Sequence, residues 1–197
     1  MRPENDTQGE LFSRPAKPRS PTPEGLRYWP DVISAAEEAD LAAWLGELPF
    51  KPYEFRGYLG NRRTVSFGLR YDEGKQAIAD AGPPPDFLVG LRDRVAGLAD
   101  IPNEAFVQAL INEYAPGAGI GWHRDRPQFG LVAGVSLLTP CVMRFRCKAG
   151  ERWERAFAPL APRSAYLLSG PARREWQHSI TPLETLRYSI TFRTLAA

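Results

Sequence analysis

Two hydrophobic periods divide this sequence. Up to about residue 100 the apolar positions recur at helical spacing. Ser34-Ala35-Ala36-Glu37 has the form of a capping box, which opens a helix running to about Leu48. Leu41, Trp44, Leu45 and Leu48 are its expected buried stripe. Three prolines at 83–85 set the start of a second helix over 86–99, apolar at Phe87, Leu88, Leu91, Val95 and Leu98. From about residue 105 the alternation is that of strands, over 105–113, 131–138, 142–147, 152–157, 164–169 and 187–194. Pro116-Gly117, Pro140, Gly150, Pro159, Gly170-Pro171 and Pro182 punctuate them. Two helices followed by six or more short strands predict a mainly β (α+β) domain, a sandwich or barrel backed by helices.

The first 25 residues break both periods. Pro15, Pro18, Pro21 and Pro23, interleaved with Ser, Lys and Arg, predict an extended tail with little to bury. The folded domain is expected over 26–197. Its 43% hydrophobic and 24% charged composition fits one soluble globular unit. No apolar run approaches the ~20 residues of a membrane span, and no apolar stretch follows the initiating residues. A monomer in the cytoplasm, away from membranes, is the expectation. Cys141 and Cys147 suit reduced thiols, since two cysteines make neither a disulfide framework nor a structural zinc site.

Charge is uneven although the net is only +2. Residues 28–120 carry eight basic and fourteen acidic side chains, whereas residues 121–180 carry ten basic and four acidic. A basic half suits a polyanionic partner, nucleic acid first among them. Arginines that are simply solvated would give the same count.

The chain has two histidines, His123 and His178. His123 lies two residues before Asp125, a spacing that puts both side chains on one face of an extended segment. His178, just before the last strand, is the remaining imidazole that could join them. Two imidazoles and a carboxylate on one face of a metal leave positions open, as in non-haem Fe(II) oxygenases. Zinc with a hydrolytic water fits the same three ligands. Trp122, beside His123 in the sequence and pointing opposite to it, is expected in the core.

The last strand, Arg187-Tyr188-Ser189-Ile190-Thr191-Phe192-Arg193, alternates throughout. Its two arginines lie ~20 Å apart along a straight strand, so one is expected to bind a distal carboxylate and the other to serve near the metal. Asn112 and Tyr114 alternate in the same way before the H-x-D. An open iron, a guanidinium and polar donors call for a dicarboxylate that chelates metal and pairs with Arg, the shape of 2-oxoglutarate. A zinc hydrolase has no need of this second anchor.

Asn112-Glu113-Tyr114-Ala115-Pro116-Gly117, His123-Arg124-Asp125, His178 and Arg187-Tyr188-Ser189-Ile190-Thr191-Phe192-Arg193 occur in an order that resembles the AlkB-like family. The likeness extends over roughly residues 28–195. It implies a double-stranded β-helix (jelly roll) flanked by two or more N-terminal helices, and Fe(II), 2-oxoglutarate and O2 as cofactor and co-substrates. It implies iron on His123, Asp125 and His178, and 2-oxoglutarate contacts from Asn112, Tyr114, Arg187 and Arg193. Ser189 stands where the best-known members have Asn. The implied reaction is oxidative dealkylation: 2-oxoglutarate and O2 yield succinate and CO2, and a hydroxylated N-alkyl group collapses to release an aldehyde.

In that family the segment before the jelly roll forms a substrate lid, here about residues 50–75. Its interleaved basic and aromatic residues suggest Phe67 or Tyr71 stacking on an extruded base, and Arg62, Arg63 or Arg70 on phosphate, with Arg126 beside the metal. The expected substrate is alkylated DNA, as in repair of alkylation damage. Pro127 replaces the acid that DNA-repair members carry two positions after the metal Asp, which leaves RNA and protein substrates open. A nucleic-acid-binding module without chemistry is the remaining alternative.

Overall fold

Ser34 and Glu37 cap the first helix reciprocally. The Ser34 hydroxyl accepts from the Glu37 amide at 3.2 Å, and the Glu37 carboxylate accepts from the Ser34 amide at 2.7 Å. In the computed structural model, which describes residues 22–55, 58–72 and 74–196, helix α1 spans Ala35–Gly46 and α2 spans Asp86–Ala99. Asp100, in the left-handed conformation, ends α2. The Pro-rich tail expected over 1–25 lies, up to residue 21, outside the described residues. The fold is already engaged at Glu24, whose carbonyl accepts from the Ala172 amide.

The strands are β1 (Leu26–Trp29), β2 (Lys51–Phe55), β3 (Tyr58–Asp72), β4 (Ala77–Asp80), β5 (Gln108–Tyr114), β6 (Ile120–His123), β7 (Phe129–Leu137), β8 (Cys141–Ala149), β9 (Arg152–Leu160), β10 (Ser164–Leu168), β11 (Gln177–Ile180) and β12 (Arg187–Leu195). A short helix α3 (Gly170–Arg174) precedes β11, and a 3-10 turn covers Asn103–Ala105. They form two sheets. The larger runs β1-β10-β7-β12-β5-β3-β2, with β4 paired to β3, and the smaller runs β6-β11-β8-β9. Every recorded pairing is antiparallel. Two facing antiparallel sheets with crossover order are the jelly-roll arrangement, and the two helices precede it.

Three layers result. Leu41 and Leu45 of α1 and Leu88, Leu91 and Val95 of α2 pack on one face of the large sheet, against Ile111, Val135, Leu137, Ile190 and Phe192. The other face meets the small sheet through Val132, Tyr166 and Leu168 against Met143, Phe145, Ala156 and Ile180. The central strands of the large sheet are therefore enclosed on both sides. β12 is buried from Arg187 to Arg193 even though it alternates polar and apolar. Tyr188, Ile190 and Phe192 meet the helices, while Arg187, Ser189, Thr191 and Arg193 face the small sheet. A polar face buried between two sheets is costly unless each group finds a partner.

Three sequence expectations change here. α1 stops at Gly46, short of Leu48, and Trp44 is 49% exposed, lying at the helix rim against the Phe87 ring with centroids 5.0 Å apart. Trp122 belongs to neither core cluster. It is half-buried on the outer side of the small sheet, because among the described residues that sheet is covered on one face only and His123 takes the inner position. The cysteines are unpaired, Cys141 buried and Cys147 half-buried. No helix among the described residues is long and apolar enough to cross a membrane.

Candidate active site

The metal cluster is a consequence of register. β6 and β11 pair antiparallel with His123 directly opposite His178, so both imidazoles leave the small sheet on its inner face with ring centroids 4.3 Å apart. Asp125 follows two residues beyond His123, where the strand has ended, and its Oδ2 lies 3.7 Å from His178 Nε2. One ligand atom from each of the three residues lies within 4.8 Å of the others, close enough to share one ion at ~2.0–2.2 Å each.

The protonation states suit a metal. His123 Nδ1 is 2.9 Å from the Gly121 carbonyl, which can only accept, so Nδ1 holds the proton and Nε2 keeps its lone pair. Burial holds His123 below the ordinary imidazole range, and burial with the neighbouring His123 lowers His178 to about 3. Burial alone would raise the Asp125 carboxyl, but Arg193, the two imidazoles and Arg173 together hold it well below the usual carboxylate range. The cluster is therefore two neutral imidazoles and one carboxylate near neutral pH, the ionisation metal binding requires. One consequence concerns stability. The unfolded chain takes up a proton near pH 6.5 that native His178 refuses until about pH 3. The metal-free protein is thus expected to lose stability progressively as pH falls from about 6.5 to about 3. Thermal melts across that interval check this, and a flat profile contradicts it.

Two arginines surround the cluster in supporting roles. Arg193 Nη2 donates to Asp125 Oδ1 at 2.8 Å and its Nη1 to Gln108 Oε1 at 2.8 Å. Arg173, from α3, donates to the Gly130 carbonyl at 2.7 Å, the Arg126 carbonyl at 2.7 Å, and the Asp125 and Phe129 carbonyls. It thereby fixes the loop that carries Asp125. Neither Gln108 nor Arg173 was marked by the sequence, since each acts through backbone or partner atoms distant in the chain.

At the other end of β12, Arg187 is fully buried. Its Nε and Nη2 donate to the Ser136 hydroxyl at 3.2 and 3.0 Å, its carbon Cζ lies 5.2 Å from the Tyr114 ring centroid, and Nη1 has no partner. No carboxylate among the described residues pairs with it. A buried guanidinium costs several kcal/mol unless an anion compensates it; Arg187 itself is not exposed to the cavity, and its neighbours Tyr114, Asn112 and Ser189 line it. Burial raises the Tyr114 phenol above its ordinary value, which keeps it a hydrogen-bond donor. Ser189 sits opposite both Asn112 and Ser136 in register. Asn112 Oδ1 accepts from Arg62 Nε at 3.1 Å. The donor set fits iron at one end and a diacid's far carboxylate at the other, which is what Fe(II) and 2-oxoglutarate need. Ser136 was missed because β7 joins this wall only through tertiary pairing. Tyr166 also lines the cavity, its ring lying over Gly134, where a Cβ would stand 2.2 Å from it.

The lid segment divides by strand parity. Arg62, Thr64 and Ser66 of β3 line the cavity. Arg63 and Phe67 do not, contrary to the sequence expectation for both. Arg63 turns to the helix side, with Nε and Nη2 bonded to Glu113 at 2.6 and 2.9 Å, and Phe67 packs against the helix-side core. Gly68, at φ +70, stands where a Cβ would lie 2.2 Å from the Val107 carbonyl. Beyond it Arg70 and Tyr71 both line the cavity rim, Arg70 bonded to Asp72 at 3.1 Å. The Arg126 Cζ lies 4.3 Å from the Tyr71 ring centroid. Arg62 lies over the Tyr53 ring at 3.8 Å.

Fold and donor set together define an iron- and 2-oxoglutarate-dependent oxygenase. Residues 25–193 match the model of the 2OG-Fe(II) oxygenase superfamily, to which the chain belongs. Within that superfamily it is similar to AlkB homologues. It is 27% identical over 186 residues to an Arabidopsis thaliana "Alkylated DNA repair protein ALKBH8 homolog", covering 79% of this chain and 50% of that protein. It is 27% identical over 183 residues to the Mus musculus "tRNA (carboxymethyluridine(34)-5-O)-methyltransferase ALKBH8", covering 87% of this chain and 26% of that one. The chain thus spans half or less of these curated relatives. The solved structure of OsALKBH1 superposes with TM-score 0.66 at 14% identity, covering 86% of this chain and 98% of that one. The superfamily uses Fe(II), 2-oxoglutarate and O2.

Proposed function

We propose that this domain removes N-alkyl groups oxidatively from nucleobases, with alkylated DNA as substrate, working as a cytoplasmic monomer. His123, Asp125 and His178 would hold Fe(II); Arg187 and Tyr114 would hold the far carboxylate of 2-oxoglutarate, with Asn112 and Ser189 beside them. Iron, 2-oxoglutarate and O2 supply the oxidising power that hydroxylates the alkyl carbon. The chain's own residues bind and orient the substrate, keep both imidazoles neutral and close the diacid away from water.

The observation that supports a nucleobase is the pairing of ring and cation at the cavity rim. Tyr71 stands with Arg126, one residue beyond the ligand Asp125, and Arg70 adjoins it. An extruded base stacks on a ring while its phosphates meet guanidinium groups. The cavity measures ≈ 2000 Å³, which accommodates a nucleotide beside 2-oxoglutarate. The names carried by the Arabidopsis and mouse relatives, alkylated DNA repair and tRNA, agree with nucleic acid and keep RNA as the second reading.

The test loads the full chain with Fe(II) and 2-oxoglutarate and offers oligonucleotides carrying 1-methyladenine or 3-methylcytosine, as DNA and as RNA. Formaldehyde and unmodified base should appear in step with succinate, faster on DNA. Succinate without product base on either polymer would refute the nucleobase reading, and faster turnover on RNA would reassign the polymer.

A further inference from the structure

The small sheet has a second face, pointing away from the metal. Along β8 the inner positions Cys141, Met143 and Phe145 are buried, so Val142, Arg144, Arg146 and Lys148 point outward. Register places Phe157 opposite Arg144, Arg155 opposite Arg146 and Trp153 opposite Lys148. Trp122 joins them from β6. His178 points in, and its neighbours Gln177 and Ser179 point out, where they accept from Arg146 Nε at 2.7 Å and Arg144 Nε at 3.1 Å. The Arg146 guanidinium is sandwiched between two indoles, 4.5 Å from the Trp122 centroid and 4.4 Å from that of Trp153. Arg144 lies 5.1 Å from the Trp122 centroid.

No carboxylate pairs with Arg144, Arg146 or Lys148 among the described residues. Trp153 is 42% exposed and Phe157 48% exposed, and among the described residues no helix layer covers them as α1 and α2 cover the large sheet. Isolated cations and scattered apolar residues are ordinary on protein surfaces. Here aromatic and cationic positions alternate along β9, and cationic positions line the facing strand β8. Trp153 and Phe157 lie ~13 Å apart along β9, with Arg155 between them. Positive charge alone would suit any polyanion, duplex included. Exposed rings between the charges favour one whose bases are unpaired and free to stack. Domains that read RNA on an open four-stranded sheet use stacking aromatics in this way.

The geometry points to the outer face of β6-β11-β8-β9 as a binding platform for single-stranded nucleic acid, with Trp153 and Phe157 stacking bases and Arg144, Arg146 and Lys148 meeting phosphates. Trp153, Phe157, Arg144, Arg146 and Lys148 do not line the metal cavity, whose rim Trp122 and Gln177 also reach, and strand binding by them does not depend on what is oxidised there.

The test measures fluorescence anisotropy with the metal-free full chain and labelled, unmodified oligonucleotides of about 12 nucleotides, as single strands of DNA and RNA and as duplexes. The wild type should prefer single strands. Trp153→Ala with Phe157→Ala should weaken single-strand binding about tenfold or more. Arg144→Gln with Lys148→Gln should reduce the slope of log affinity against log salt by about 1.4. His178→Ala, which removes a metal ligand, should bind strands as the wild type does, so failure here and failure of the dealkylation reading are separable. No strand binding by the wild type, equal preference for duplex, or unchanged affinity and slope in both variants would overturn the platform. Self-association through this face without strand binding would overturn it as well.

Discussion

Replacing His178 with alanine is expected to remove Fe(II) binding and 2-oxoglutarate turnover together while leaving the fold in place. His178 is held in β11 by backbone pairing to β6 and β8, which alanine retains. The loss in Fe(II) affinity should exceed ~100-fold, the upper end of what a merely supporting residue near a metal costs. Asp125→Ala makes a poorer experiment. The Asp125 carboxylate accepts from Arg193, so deleting it leaves a buried guanidinium uncompensated at a cost of about 3–5 kcal/mol, and loss of activity would be confounded with loss of structure. Isothermal titration of Fe(II) under argon, alongside a thermal melt, separates the two. Undiminished turnover in His178→Ala would remove this residue from the metal site.

Arg187→Met should give opposite effects on stability and on function. The wild-type guanidinium is fully buried against one serine hydroxyl and an aromatic ring, with Nη1 unpaired. A methionine of similar length removes an uncompensated buried charge, so the ligand-free protein should keep or gain stability, by up to about 1–4 kcal/mol. The affinity for 2-oxoglutarate should fall by about 2–5 kcal/mol, or ~30–5000-fold, because a buried charged contact is lost. Arg187→Lys restores charge without the planar fork and should recover only part of that affinity. Denaturant melts and 2-oxoglutarate titrations read the two effects separately. A destabilised Arg187→Met that still binds 2-oxoglutarate normally would mean that Arg187 is structural.

How much of this the sequence disclosed follows from which interactions are local. The capping box, the H-x-D spacing and the alternation of β12 are written within a few residues of each other, and each was legible. With two histidines in the chain, His178 was the available third donor, although β11 is too short at four residues to show a period. The residues that complete the site come from pairing between distant strands. Ser136 reaches Arg187 from β7, Gln108 reaches Arg193 from β5, and Arg173 reaches the Asp125 loop from α3. No local pattern marks any of the three.

The errors have an equally physical origin. Arg63 and Phe67 sit in the right segment on the wrong side, since alternation fixes which residues share a face but not which face looks inward. Beyond Gly68, Arg70 keeps the parity of Arg62, Thr64 and Ser66, while Tyr71 reaches the rim as well. Trp44 keeps helical spacing yet falls where only Phe87 covers it. Trp122 was expected in a core, but among the described residues the small sheet has a core on one side alone.

The central claim is geometric: two strands bring His123 opposite His178, the following loop adds Asp125, and the buried Arg187 is the guanidinium proposed to take a carboxylate. A crystal structure grown without oxygen, with Fe(II) and 2-oxoglutarate, tests it most directly through the anomalous signal of iron. The predicted result is one iron peak at ~2.0–2.2 Å from a nitrogen of each histidine and an oxygen of Asp125, with the far carboxylate of 2-oxoglutarate on Arg187. Iron bound elsewhere, or a 2-oxoglutarate carboxylate that leaves Arg187 unpaired, would contradict it.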